Sequence, residues 1–316
     1  MRRAGTSLAM RWVPLLLLLL LLLLSGSLAA DRPKAAEAQG ERTPLADRDH
    51  GLLERELAAL APQRPGKTDL YVLGFAGDGE ESVFRNEVVY LKSLFEKRFD
   101  ARGRVVSLIN HPDSLGKAPA PLATYDNLYD ALAGIGRTMD RDQDVLLLYL
   151  TMHGTEDHEL AVQLQPMLED WLTPEDLRAA LDDAGIRNRV IAISACYSGG
   201  FVPALRGPDT LVVTAARGDR ASFGCGSESE ATYFGRAWLV DGLNRTTNFV
   251  AAYDIATREI ARREKLQEFE PSLPQLDVGA RIGKRLRTWE SELHAGKAVP
   301  YPYAAKPGKR DAEAAL

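Results

Sequence analysis

Two apolar runs in this chain end in residues of polar chemistry, and that arrangement restricts the possible folds more than any other feature. One run reads Val145-Leu-Leu-Leu-Tyr-Leu-Thr-Met-His153-Gly154, the other Val190-Ile-Ala-Ile-Ser-Ala-Cys196-Tyr-Ser-Gly-Gly200. Each is leucine-rich or β-branched and stops abruptly near glycine, the pattern of a strand buried on both faces of a parallel sheet. In open sheets of that kind the ligand crevice lies at the carboxyl edge. Adjacent strands would then set an imidazole beside a thiol at that edge. With only five histidines and two cysteines in 316 residues, abundance alone does not explain the placement.

The flanking pattern supports an α/β fold with a three-layer αβα arrangement and a mostly parallel central sheet of about six strands. Asp69–Phe75 and Arg104–Ile109 read as strands, and Leu160–Leu164 as a short one. Between the first two, Phe84, Val88, Leu91 and Phe95 recur at helical spacing over residues 82–98. A helix is expected from about Thr124 to Met139. Thr173-Pro-Glu-Asp176 supplies a capping residue, a proline at the first helical position and an acid at the third. That helix should end at Gly185. Thr210–Ala216 reads as another strand, and helices are expected near 231–243, 247–265 and 276–293. Units that alternate in this way wind into a parallel sheet covered by helices on both faces.

The ends read differently. Arg2, Arg3 and Arg11 precede ten leucines, Leu15 to Leu24, and then Ser25-Gly-Ser27-Leu-Ala29-Ala30. A basic start, a short apolar run and a small-residue exit form a signal peptide over residues 1–30, so export to a periplasmic or secreted location is expected. An uncleaved membrane anchor is the alternative and needs roughly 18 apolar residues, so no stable membrane span is expected after cleavage. Residues 31–66 read as a flexible spacer or a propeptide, residues 67–296 as one domain, and residues 297–316 as an unpacked tail. The net charge of −5 falls to −8 once the three leader arginines leave. With no basic patch carrying interleaved aromatics, nucleic acid is not an expected partner.

A cysteine attacks as the thiolate, and an imidazole beside it can take the proton and later return it to a leaving amine. His153 and Cys196 are therefore the candidate catalytic pair, with the backbone N–H groups of Gly154 and Cys196 as oxyanion donors. Cys225, in a Gly-Cys-Gly turn, has no such partner and reads as packing. His158 lies among Glu156, Asp157 and Glu159 without zinc-site spacing, so a solvated loop is expected and no metal or organic cofactor. His50, His111 and His294 carry no readable signal. A rival nucleophile is Ser198, one glycine short of a Gly-x-Ser-x-Gly elbow, with His294 as its base.

The two blocks, Leu148-Tyr-Leu-Thr-Met-His153-Gly154 and Ile193-Ser-Ala195-Cys196-Tyr-Ser-Gly-Gly200, resemble those of the legumain-like cysteine peptidases, a branch of the caspase-like superfamily, and look most like its bacterial members. Phe84-Arg85-Asn-Glu-Val88, Val213-Thr-Ala-Ala216, Ser222-Phe-Gly-Cys225 and Thr232-Tyr-Phe-Gly235 are similar too, so the likeness runs from about residue 68 to 290. It implies a caspase-like fold and a peptide or protein substrate cut through a thioester at Cys196, with His153 as acid and base. It also implies a substrate pocket lined by Arg85, with Glu228 as its nearest acidic match and Ser194 standing where eukaryotic members carry Glu. Val83 stands where they carry an Asn that steadies the histidine. Cleavage after Asn or Asp is the implied preference. Transpeptidation within the same family, or a non-catalytic envelope interaction module, are the alternatives.

Overall fold

The computed structural model describes residues 43–226 and 229–303. The expected leader, the start of the spacer, Glu228 and the end of the tail lie outside the described residues. The elements are α1 (Pro44–Ala58), β1 (Leu70–Ala76), α2 (Ser82–Arg98), β2 (Val105–Ile109), α3 (Tyr125–Thr138), β3 (Val145–Thr151), β4 (Leu160–Leu164), β5 (Leu168–Leu172), α4 (Pro174–Asp183), β6 (Arg189–Ser194), β7 (Thr210–Thr214), α5 (Phe249–Leu266), β8 (Gln275–Val278) and α6 (Ile282–Glu292). Short helical turns follow β6, and a π-helical segment spans Gly235–Gly242.

Six strands form the central sheet in the order β2-β1-β3-β6-β7-β8. All neighbours are parallel except β7 and β8. The two-residue period of a strand sends alternate side chains to opposite faces, and β3 shows the partition clearly. Val145, Leu147 and Tyr149 enter the core shared with α2, the π-helical segment, α5 and α6. Leu146, Leu148 and Leu150 enter the core under α1, α3 and α4. Both faces being buried, the strand must be apolar throughout, as its sequence is. Phe84, Val88, Leu91 and Phe95 all turn inward from α2. Thr173 caps α4 in a reciprocal box with Asp176.

Four expectations meet a different structure. The stretch read as a spacer through residue 66 contains α1, capped by Thr43 and started by Pro44. Its buried residues are Asp49 and Leu53, so only one apolar side chain is fully buried and the helix shows little apolar periodicity. Its hold is largely tertiary, with Leu57 packed against Gly134 of α3, Arg48 bonded to the Ser114 carbonyl and Glu56 reaching the Ser107 N–H at 3.4 Å. The described part of the tail read as unpacked, residues 297–303, packs onto the domain. Val299 and Tyr301 are buried, and the Val299 carbonyl accepts from the Tyr90 hydroxyl at 2.8 Å. The helix expected over 276–293 is instead strand β8 followed by α6. Gln275–Val278 pairs antiparallel with β7, and Gly279 lets the chain pass the Gly207 carbonyl, which a Cβ would meet at 2.0 Å. Finally, β4 has an antiparallel partner, β5, which its mixed sequence Leu-Glu-Asp-Trp-Leu does not announce.

Candidate active site

β3 and β6 are neighbours, with Thr151 opposite Ser194. His153 and Cys196 each lie two residues beyond that pair, so adjacent strands bring them to the carboxyl edge at equal register. Gly154 shows how closely the two turns approach. A Cβ there would lie 2.3 Å from the Cys196 carbonyl oxygen and 3.3 Å from Ala195 Cβ, so only glycine fits. Gly154 also faces Leu160 in an antiparallel bridge whose bonds flank it: Thr155 N–H to Glu159 O at 3.0 Å and Ala161 N–H to His153 O at 3.0 Å. The pairing therefore leaves the N–H of Gly154 itself outside the ladder.

The imidazole of His153 is 40 % exposed and is set from two sides. Phe84 meets it edge to face, ring centroids 5.2 Å apart and planes at 85°. Asp78, fully buried in the loop after β1, places Oδ2 4.0 Å from His153 Nε2. The thiol of Cys196 is half-buried and lies against the loop after β7. Ser222 N–H points at Sγ at 3.2 Å, its hydroxyl lies at 3.6 Å, and Sγ–H donates to the Ser222 carbonyl at 3.4 Å.

The two turns are clasped beyond the pair. Tyr197, left-handed at φ 55°, sends its N–H to Arg220 O at 2.8 Å and its hydroxyl to Glu156 at 3.0 Å. His158, expected in a solvated loop, is instead seated between Gly200 and Gly218. Its Nε2 bonds the Gly218 carbonyl at 2.9 Å, and a Cβ on Gly200 would fall 2.1 Å from its ring. The acidic neighbours made the segment look like exposed chain, and two glycines far along the sequence make room for the ring.

The expected pocket residues fare unequally. Arg85, on the first turns of α2, is partly exposed at the same edge. Asp113 lies 4.0 Å from it, the ring of Tyr303 lies 5.8 Å from its guanidinium, and its buried Nε has no hydrogen-bond partner among the described residues. Ser194 is buried, its hydroxyl paired with Thr232 at 2.8 Å. Thr232 N–H in turn donates to Glu87, which also accepts from Tyr149 and Thr151. Burial raises the Glu87 carboxyl above its usual range against those bonds. Ser194 thus braces the strand from within and presents no hydroxyl to a ligand. Glu228 lies outside the described residues. Ser198 is fully buried, donating to Ala195 O at 2.7 Å and accepting from Ala216 N–H at 3.3 Å, which removes it as an exposed nucleophile. His294 is at the other end of the sheet, near where Gly296 bonds Arg98. Cys225 packs against the small apolar cluster that contains Val83 and Phe84, its thiol pushed up to about 11 by burial and by the nearby Cys196.

A family model supplies the remaining information. Peptidase C13 family is matched over residues 126–284, half of the chain, a span that contains both His153 and Cys196. The chain belongs to the Peptidase C13 family. This family assignment agrees with the legumain-type resemblance of the two blocks and carries a cysteine peptidase type of function. The matched span begins after Asp78 and Arg85, so neither rests on it. Among curated proteins no relative of significant similarity is found. Among solved structures, the crystal structure of caspase-1 from Spodoptera frugiperda is 12 % identical with a TM-score of 0.46, covering 70 % of this chain and 93 % of that one. The structure described as pro-sf-caspase-1 is 10 % identical at 0.45, covering 69 % and 90 %. These similarities are low, and the fold rests on the strand order itself. The roles of two site residues, Asp78 and Ser222, are not read from the sequence. Asp78 stands between two glycines with nothing to mark it, and Ser222 is marked only by the family likeness of Ser222-Phe-Gly-Cys225.

Proposed function

We propose that this Peptidase C13 chain is an exported cysteine endopeptidase working through a Cys196–His153 dyad. The observation that carries the reading is the equal register of those two residues on adjacent parallel strands, with Ser222 N–H directed at the sulfur. Proton transfer from Sγ to the imidazole creates the nucleophile, which attacks a peptide carbonyl. The oxyanion is held by backbone N–H groups, for which Gly154 and Cys196 are the candidates. Collapse breaks the C–N bond, the amine leaves with the proton held by His153, and water hydrolyses the thioester. Arg85, cationic and with an Nε that has no partner among the described residues, favours an acidic or amide side chain before the cut bond. Export is proposed from the leader-like segment at residues 1–30. No helix among the described residues is long and apolar enough to cross a membrane.

The test uses the chain from Asp31, in wild-type and Cys196→Ala forms. Each meets a fluorogenic peptide panel varied at the residue before the cut, and intact mass is read after a thiol-reactive peptide probe. Turnover in wild type alone, with the probe on Cys196, upholds the dyad. Equal turnover in both forms sinks it. Absence of turnover and of labelling in wild type points to a non-catalytic module. An added amine nucleophile that captures the acyl group in place of water would identify a transpeptidase.

A further inference from the structure

The histidine of a thiol dyad works only if one ring nitrogen keeps its proton and the other exchanges it with sulfur, so something must choose between them. In this chain the position expected to help, Val83, carries an apolar side chain buried in a small cluster with Ala76, Phe84 and Val88. The loop after β1 offers a different group. Asp78 has no exposed surface, yet its carboxylate is only partly engaged by donors. Oδ1 accepts the Glu80 N–H at 2.9 Å and Oδ2 accepts Gln163 Nε2 at 2.8 Å. A carboxylate offers about four acceptor positions, so capacity remains on the side that meets His153 Nε2 at 4.0 Å.

Its position is also unusually well determined. Asp78 and Gln163 face one another in a parallel bridge that extends from β1 to β4, closed by Gln163 N–H to Gly77 O at 2.8 Å and Gly79 N–H to Gln163 O at 2.9 Å. Both glycines are tight. A Cβ at Gly77 would lie 2.7 Å from Ala161 O, and one at Gly79 2.6 Å from Leu164 Cδ1. The same β4 strand bonds the His153 carbonyl through Ala161 N–H. One strand therefore fixes both the carboxylate and the backbone of the histidine. A buried carboxylate held only for structure has no need to face a half-exposed imidazole.

We infer that Asp78 is a positioning residue that keeps the proton of His153 on Nε2, so that Nδ1 exchanges the proton of Cys196. The inference rests on the dyad proposed above. In the reacting cycle the Sγ–H bond breaks and an Nδ1–H bond forms, while the Nε2 proton stays beside Asp78. The 4.0 Å gap is beyond a hydrogen bond and within reach of a direct charge interaction, and catalytic contacts of this type commonly tighten when substrate binds. Carboxylates that fix the tautomer of a catalytic imidazole are a general device.

The experiment compares wild type with Asp78→Asn in steady-state turnover of the best peptide from the panel. Imidazole ¹⁵N spectra are recorded with and without Asp78→Asn in the Cys196→Ala background, where no thiolate contributes. Expected are a neutral His153 almost wholly protonated on Nε2 when Asp78 is present, and a mixed or reversed tautomer in Asp78→Asn. That substitution should lower kcat by about 10²- to 10⁴-fold and change KM less than about two-fold, because Asp78 does not touch substrate. A kcat within about three-fold of wild type overturns the assignment. So does a lowered kcat with an unchanged tautomer, the mark of a structural residue. If Asp78→Asn does not fold, the Cys196→Ala spectrum decides alone, and a majority form protonated on Nδ1 overturns it. A failed dyad would show separately, as wild type without turnover or labelling, and the tautomer would still be read.

Discussion

The two edges of the central sheet carry the same kinds of residue in opposite conditions. At the amino edge, Asp69 takes the Arg64 N–H and side chain and lies 3.4 Å from Arg104, while its own N–H bonds Asp144 at 2.7 Å. Asp144 also receives the Asp140 N–H at 2.8 Å. Every carboxylate there has donors, and the group locks residues 64–69 to the start of β3. At the carboxyl edge the reactive groups are open to solvent. The His153 imidazole is 40 % exposed, Asp78 stops 4.0 Å short of it, and the Cys196 thiol stays half-exposed. Buried guanidinium Nε atoms without a partner among the described residues occur at both edges, on Arg85 and on Arg104, so access to the imidazole and the thiol is what sets the carboxyl edge apart. Composition does not separate the two regions; exposure of the reactive side chains does.

The largest response is expected at the dyad. Cys196→Ala or His153→Ala should each cut kcat/KM by about 10⁴-fold or more while the melting temperature stays within a few degrees. A large loss of stability instead would make the carboxyl edge as structural as the amino edge. Gly154→Ala comes next. Its Cβ would press on the Cys196 carbonyl, so kcat should fall by about 10²-fold with a stability loss of about 1–3 kcal/mol. Both are measurable by turnover and denaturant titration. Arg85→Ala should raise KM for peptides with Asp or Asn before the cut by roughly ten-fold or more and leave kcat for neutral residues nearly unchanged. An equal effect on all peptides would remove Arg85 from the pocket.

At the amino edge the response should be in stability alone. Burial, helped by the nearby Asp69 and Asp140 carboxylates, raises Asp144 from 3.8 to about 6 against its backbone donors. Between those values the folded chain holds a proton that the unfolded chain has released, so stability declines as pH rises from about 4 to about 6. The decline is roughly 1–3 kcal/mol, and Asp144→Asn should flatten it in urea titrations across that range. The smallest effect belongs to Cys225. With its thiol pushed up to about 11, iodoacetamide at pH 8 should modify Cys196 and leave Cys225 intact by peptide mass mapping. Cys225→Ser should then change turnover less than about two-fold.

What the sequence made legible follows the same division. Strands such as β3 and β6 are buried on both faces, so their apolar runs and the residues at their ends could be read directly. Phe84, Val88, Leu91 and Phe95 announced α2 by spacing, and Thr173 with Asp176 announced α4 by capping chemistry. Asp78 and Ser222 could not be found this way, because each owes its place to a partner far along the chain: Gln163 for one, the Cys196 sulfur for the other. α1, β8 and the packed stretch over residues 297–303 escaped for a related reason. Their few apolar residues pack against surfaces that only the finished sheet provides, and Leu53, Leu276 and Val299 look unremarkable in isolation.

The path of that last stretch affects how ligands for this protein will rank. From Gly296 beside Arg98 the chain runs along α2 toward its amino end, where the Tyr303 ring stands over the Arg85 guanidinium. An inhibitor whose carboxylate claims Arg85 competes with a ring already seated there. A cation–π contact of about 0.5–1 kcal/mol corresponds to roughly two- to five-fold in apparent affinity. Small acidic probes will therefore bind more weakly than their charge suggests. Compounds that offer Tyr303 a new aromatic surface, in place of merely evicting it, start with that advantage restored.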